Sequence, residues 1–224
     1  MKPDLLDAIE IDTAPNPTHA VIWLHGLGAD GNDFVPIVPE LKLDNAPAIR
    51  FVFPHAPVQP VTINGGMAMR SWYDIRNADL AQREDADGIR QSQEAVRALI
   101  RRENERGVET KNIVLAGFSQ GCAITLQTGL RHPDQLAGLV ALSGYLPLPN
   151  SLEAERSAAN QATPVFMAHG QQDPVVPLQR AQESSQLLKQ LGYDVTWKTY
   201  HMPHSVCLEE IQDIAAFLKQ VLKP

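Results

Sequence analysis

Residues 113–126 read Ile-Val-Leu-Ala-Gly-Phe-Ser-Gln-Gly-Cys-Ala-Ile-Thr-Leu. The first four are apolar and β-prone, and the last five suit a buried helix. Between them lies Gly117-Phe118-Ser119-Gln120-Gly121, a G-x-S-x-G pattern that composition alone would produce only about 0.04 times in this chain. Strand, sharp turn and helix in that order lift a serine hydroxyl above the edge of a sheet. The small glycines permit the turn, and the helix N-terminus beneath the serine presents its positive dipole end. The competing reading is a glycine-rich strand-to-helix turn with an incidental serine.

The surroundings repeat this alternation. Short apolar runs at Ala20–Leu24, Ile49–Phe53, Asn112–Ala116, Gly138–Leu142, Pro164–Ala168 and Val195–Tyr200 read as strands. Several are apolar throughout, as strands covered on both faces must be. Helical spacing runs from Asp85 to Arg106, ending at Gly107, and again through Leu208, Ile211, Ala215, Leu218 and Leu222. Gln179–Leu191 is a weaker third helix. The expected fold is α/β, with a mostly parallel central sheet flanked by helices. The 224 residues carry 44% hydrophobic and 20% charged side chains and show no repeat or linker, so one domain over 1–224 is expected.

A net charge of −7 gives no footprint for nucleic acid or an anionic membrane. No signal peptide and no apolar run of spanning length is read, so the expectation is a soluble cytoplasmic protein without stable membrane insertion, monomeric or homodimeric. Two cysteines, Cys122 and Cys207, are expected as free thiols in place of a bridge.

A nucleophilic serine needs a base, and the base needs an orienting acid. In hydrolases with this turn the acid and then the histidine follow the serine along the chain. Asp173 follows the Pro164–Ala168 strand on a loop, where such acids gather. His201 and His204 both follow the Val195–Tyr200 strand; His204 is favoured because it lies further out on the loop. His132 reads as a helix cap and His169 as a packed histidine. Gly26-Leu-Gly-Ala-Asp-Gly31 is a literal G-x-G-x-x-G, but no acidic residue occurs from Ala46 to Tyr73 to hold a ribose. The His25-Gly-Leu-Gly28 part instead suits a loop that supplies one oxyanion amide. The expected donors are the backbone N–H groups of Leu27 and Gln120. His201-x-x-His204 lacks further ligands at matching spacing, so no metal and no cofactor are expected.

His25-Gly-Leu-Gly-Ala-Asp-Gly-Asn-Asp-Phe34, Ser71-Trp-Tyr-Asp74, Gly117–Gly121, His169-Gly-x-x-Asp173 and His204-Ser205 together resemble the small acyl-protein thioesterase/carboxylesterase family of serine hydrolases. The resemblance runs from about Ala20 to Leu222 and, with Thr62-Ile-Asn-Gly-Gly66, lies nearest its bacterial carboxylesterase branch. It implies an α/β-hydrolase fold, no cofactor, and Ser119, Asp173 and His204 as a catalytic triad. The Leu27 and Gln120 amides would be the oxyanion donors. Cys122 and Pro203 stand where family members often have glycine. The expected activity is hydrolysis of carboxylic esters or thioesters of short to medium acyl chains, on a small-molecule or lipid-like substrate. An acyl-protein thioesterase or lysophospholipase-type hydrolase is the alternative. A peptidase, or a silent binding protein on the same fold, is the more distant one.

Two expectations concern access. Only about 20 residues separate the fourth and fifth strands, and Pro147 and Pro149 disfavour a helical hairpin, so no large cap domain is expected. The segment 54–84 has no clear periodicity yet carries Met67, Met69, Trp72 and Tyr73. It is expected to form an apolar wall beside Ser119, with Met67, Met69 and Trp72 contacting the acyl chain.

Overall fold

A computed structural model describes residues 5–44, 46–77 and 84–223. In chain order the elements are β1 (Ala8–Asp12), β2 (His19–Leu24), α1 (Ile37–Glu40), β3 (Ile49–Pro54), β4 (Val58–Val61), β5 (Met67–Arg70) and α2 (Ala86–Glu105). They continue as β6 (Ile113–Phe118), α3 (Gln120–Gly129), β7 (Gly138–Leu142), α4 (Pro149–Glu155), β8 (Val165–Gly170), α5 (Leu178–Gln190), β9 (Val195–Tyr200) and α6 (Leu208–Val221).

Seven strands make one sheet in the order β1-β3-β2-β6-β7-β8-β9. All pairs are parallel except β1 with β3. Strands β2, β3, β7 and β8 are buried along their whole length, and β6 is buried up to Phe118. Their apolar side chains divide between two cores. On one face Ile22, Leu24, Leu115 and Met167 meet Ile89, Val96 and Leu99 of α2, Ala123 and Leu126 of α3, and Leu188 of α5. On the other, Val21, Phe51, Val114 and Phe166 meet Ile37 of α1 and Ile214, Phe217 and Leu218 of α6. Helix α2 starts at Asp85, whose carboxylate accepts the Gly88 N–H at 3.3 Å, and Gly107 follows it at φ 94°.

The six strands and three long helices expected from the sequence are present, with ends shifted by one or two residues. Strand β1 was not anticipated. Its Ala-Ile-Glu-Ile-Asp alternates, with Ile9 and Ile11 packing on the α1/α6 core while Glu10 and Asp12 bond arginines. Five residues with two carboxylates are a weak signal beside the long apolar runs. The segment 54–84 also holds regular structure. Strands β4 and β5 form an antiparallel hairpin, joined by a 3₁₀ turn at Thr62–Asn64 and by Gly65 and Gly66, both at positive φ. Residues 78–83 of that segment lie outside the described residues. Between β7 and β8 stand only α4, seven residues long with Pro149 in its first turn, and one 3₁₀ turn. Proline tolerates that position because its missing N–H would have had no partner there. No helix among the described residues is long and apolar enough to cross a membrane.

Candidate active site

Ser119 follows the last residue of β6 and precedes the first of α3. Its backbone adopts φ 55° and ψ −116°, a region costly for any side-chain-bearing residue by about 1–3 kcal/mol. Its surroundings hold that conformation. The Ser119 N–H donates to Leu142 O at 2.8 Å, tying the turn to the end of β7. A Cβ at Gly117 would collide with the Gly121 carbonyl, and one at Gly121 with the Leu24 carbonyl. Both glycines of the pattern are therefore required by close backbone approach.

Asp173 and His204 come to the same point from the tips of β8 and β9. His204 Nε2 lies 2.9 Å from Ser119 Oγ, and His204 Nδ1 lies 2.6 Å from Asp173 Oδ2. With a carboxylate facing it, Nδ1 carries the proton and Nε2 keeps its lone pair toward the serine hydroxyl. The Asp173 side chain is wholly buried, and its Oδ1 accepts the N–H groups of Val175 at 2.8 Å and Val176 at 2.9 Å. The Phe118 ring packs on the His204 imidazole with centroids 4.7 Å apart. His201 is exposed, with its Nε2 3.2 Å from Gln172 Nε2, and is not part of this cluster. His132 is not a helix cap: its Nδ1 meets the backbone of Asp134 in a local turn.

Leu27 and Gln120 both line the cavity that opens on Ser119. The loop carrying Leu27 is pinned on two sides. His25 donates from Nδ1 to Gly26 O at 2.7 Å and accepts the Ala56 N–H on Nε2 at 3.1 Å. Burial lowers the pKa of this imidazole, which keeps Nε2 free to accept. From the other side the Trp72 indole N–H donates to His25 O at 2.9 Å. The remaining glycines of the G-x-G-x-x-G run serve the same loop. Gly28 takes φ 76°, and a Cβ at Gly31 would collide with the Phe53 carbonyl.

The cavity beside Ser119 has a volume of about 280 Å³ and a mostly apolar wall formed by Leu27, Ile63, Tyr73, Ile75, Tyr145, Val175 and Val176, with Asn64. The three residues expected on that wall stand elsewhere. Trp72 is 1% exposed and sits under the Leu27 loop, its carbonyl accepting from the Ser92 hydroxyl. Met67 is 65% exposed on the outer face of the hairpin. Met69 is half-buried behind Gly28 and accepts from Asn64 Nδ2 at 3.3 Å. The cause is the hairpin's geometry: the turn between β4 and β5 carries Ile63 to the cavity, and the chain after β5 buries Trp72 and then returns Tyr73 and Ile75. An isoleucine inside the polar, glycine-rich run Thr-Ile-Asn-Gly-Gly was the available signal. Val175 is 59% exposed at the cavity mouth, just past the acid.

Both cysteines are free. Cys122 is wholly buried against Gly144, and burial pushes its thiol up. It is not among the residues lining the cavity. Among the described residues no group of three or more His, Cys, Asp or Glu could hold a metal ion.

A parallel sheet with a serine on a strained strand-to-helix turn, and a histidine and a carboxylate at the tips of later strands, defines the α/β-hydrolase class of serine hydrolases. Comparison with known proteins narrows this. Residues 8–222 match the phospholipase/carboxylesterase family, and the chain belongs to that family. Acyl-protein thioesterase 1 of Gibberella zeae is 40% identical over 223 residues, covering 94% of each chain. Acyl-protein thioesterase 1 of Yarrowia lipolytica is 38% identical over 221 residues, covering 96% of this chain and 97% of the relative. The crystal structure of SOBER1 from Arabidopsis thaliana superposes with a TM-score of 0.85 at 32% identity, over 92% of this chain and 99% of the other. The protein is accordingly a hydrolase acting on esters or thioesters.

Proposed function

We propose that the protein removes acyl groups from thioesters and esters through a covalent acyl-enzyme, and that its substrate class is that of the acyl-protein thioesterases. The observation that carries this reading is the 2.9 Å approach of His204 Nε2 to Ser119 Oγ at the mouth of an apolar cavity. In the first step His204 takes the hydroxyl proton as Ser119 Oγ attacks the acyl carbonyl. Asp173 holds the imidazole in the Nδ1–H form and stabilises the imidazolium. The carbonyl oxygen becomes an oxyanion facing the Leu27 and Gln120 N–H groups, each such donor contributing about 3–4 kcal/mol to barrier lowering. Collapse expels the thiol or alcohol, which takes the proton from His204. Water then repeats the sequence on the acyl-serine and releases the carboxylic acid.

The cavity volume of about 280 Å³ corresponds to about nine groups the size of a water molecule, which supports acyl chains of short to medium length. The names of the relatives support the thioester; the family's description supports simple carboxylic esters and phospholipids as a second reading. One experiment separates these. A fluorophosphonate probe should label wild type and not Ser119→Ala. One acyl group offered as an alkyl ester, a free thioester and an S-acylated peptide should then give the highest kcat/KM on the S-acylated peptide. Equal or better turnover of the alkyl ester would favour the carboxylesterase reading, and no labelling would overturn both.

A further inference from the structure

His169 is the penultimate residue of β8 and is wholly buried, four residues before Asp173. The reaction described above gives it no task. Its contacts nevertheless close a ring around the acid. His169 Nε2 lies 2.9 Å from Val176 O, the Val176 N–H donates to Asp173 Oδ1 at 2.9 Å, and the same His169 Nε2 lies 3.3 Å from Asp173 Oδ2. That oxygen is the one His204 Nδ1 approaches at 2.6 Å. Asp173 is thus held between two imidazoles, one mobile in charge and one fixed.

The tautomer of His169 follows from these neighbours. Its Nε2 faces a carbonyl and a carboxylate, two acceptors, so Nε2 must carry hydrogen. Its Nδ1 meets no hydrogen-bond partner among the described residues, which suits an unprotonated nitrogen. Burial lowers the pKa of this imidazole, with the nearby Asp173 opposing and His204 assisting that direction. His169 therefore acts as a neutral N–H dipole whose positive end is directed at the Val176 carbonyl and stands beside Asp173 Oδ2.

We propose that His169 is a positioning residue for Asp173, orienting its carboxylate and moderating the charge that this carboxylate presents to His204. Two consequences follow. Without the Nε2–H, the 173–176 turn loses the bond to Val176 O that locks its far end, and the carboxylate aims His204 at Ser119 less precisely. The carboxylate also loses a neighbouring positive dipole, so it holds the His204 imidazolium more tightly. The base then titrates at higher pH, since an opposite charge less compensated favours the charged form. This inference rests on the triad reading proposed above.

The test exploits the difference between the two ring nitrogens. In His169→Gln the amide nitrogen can reach the Nε2 position, whereas in His169→Asn it falls near Nδ1, where there is no partner. His169→Leu fills the space with no donor. We expect Leu and Asn to lower kcat/KM on a small ester by about tenfold or more, chiefly in kcat, and to raise the acid limb of the pH–rate profile by about half a unit or more. Gln should restore the limb and most of the rate. A limb unmoved in all three variants, or Gln no better than Asn, would overturn the proposal and leave His169 a packing residue. If Leu fails to fold, the Gln–Asn pair decides alone. Fluorophosphonate labelling of wild type separates this outcome from a failure of the triad reading, because an unlabelled wild type sinks the triad itself.

Discussion

Gln120 Oε1 accepts the Trp72 backbone N–H at 2.7 Å, joining the residue after the serine to a segment nearly 50 positions earlier in the chain. The same side chain donates from Nε2 to Tyr73 O at 2.7 Å. One amide thus satisfies two buried backbone groups of the 71–73 segment and fixes the first turn of α3. Because Trp72 also bonds His25 O, the loops bearing Leu27 and Gln120 are braced through a single tryptophan. Gln120→Ala leaves the backbone N–H in place but unpairs the Trp72 N–H, while Tyr73 O keeps the Ser71 hydroxyl as a donor. The expected loss is about 1–3 kcal/mol of stability for the buried group, with kcat/KM falling about tenfold or more as the two amides lose register. Denaturant midpoints and ester kinetics check this together; a lower midpoint with wild-type kcat/KM would make the tie scaffold only.

The cluster at the strand tips gives a second expectation. Ser119→Ala and His204→Ala should each lower kcat on a simple ester by about 10³-fold or more, and Asp173→Asn comparably. Double variants should lose little beyond the worse single one, because the three groups act as a unit. His201→Ala should keep wild-type rates, since that imidazole is exposed and faces Gln172. A dead His201 variant beside an active His204 variant would reverse the assignment.

What was legible in the sequence follows a physical divide. The serine turn could be read because Gly117 and Gly121 answer local collisions that no other residue type survives. The doubly covered strands could be read because burial on both faces leaves only apolar side chains, as in β7. His204 could be preferred to His201 because a base must reach past the strand end. The acyl wall could not be read the same way. Ile63 lies on the turn of the hairpin and Trp72 just beyond its second strand, and their burial depends on how that hairpin lies across the sheet tips. Size and apolarity pointed to Trp72, yet its indole N–H found a carbonyl beneath the Leu27 loop. The smaller Ile63, on the turn, reached the cavity instead. Gln120 was legible as a backbone donor only; the reach of its side chain depends on a contact across 47 to 49 residues.

That divide sets a third expectation. Trp72→Ala should cost about 3–5 kcal/mol as a large buried deletion and leave acyl-chain preference unchanged in whatever fraction folds. Met67→Ala should be silent in both respects. Ile63→Ala and Val175→Ala, which open the cavity wall, should shift the preferred chain length with little effect on thermal midpoint, since both are largely exposed. Acyl-ester series on the four variants read this directly; a profile altered by Met67→Ala would place the acyl chain along the outer face of the hairpin.

The cysteines differ in environment by burial alone. Cys122 lies in the α2/α3 core and Cys207 at the start of α6 against the opposite core, with the sheet between them. In the native protein a maleimide should modify the half-buried Cys207 and leave Cys122 intact, because a wholly buried thiol with a raised pKa offers almost no thiolate. Both should react after denaturation, and intact mass should equal that of the fully reduced chain. A mass lower by two hydrogens would show a bridge.

Glu210 gives the pH dependence of stability a definite sign. It is wholly buried in the first turn of α6, where the backbone N–H of Cys207 faces its carboxylate and only partly offsets the burial. Burial, with the negative charge of Asp213 nearby, pushes it up to about 8. Asp213 itself is paired with Lys198 at 2.7 Å and accepts from the Tyr200 hydroxyl at 2.6 Å. The folded protein therefore holds this proton from the unfolded value of 4.5 up to about 8, while the unfolded chain releases it. Stability contributed by the protonated form is complete below about pH 4.5, declines as pH rises, and is gone above about pH 8, at about 1.4 kcal/mol per unit. Buried neutral histidines oppose this on the acid side: His19, His25 and His132 have lowered values, so their contribution falls as pH drops below about 6.5. Glu210→Gln removes the ionisation and keeps the shape. Its thermal midpoint should match wild type near pH 4, exceed it increasingly from pH 5 to about 8, and hold a constant advantage above that. Parallel midpoints across that range would show that Glu210 ionises in the folded state without cost.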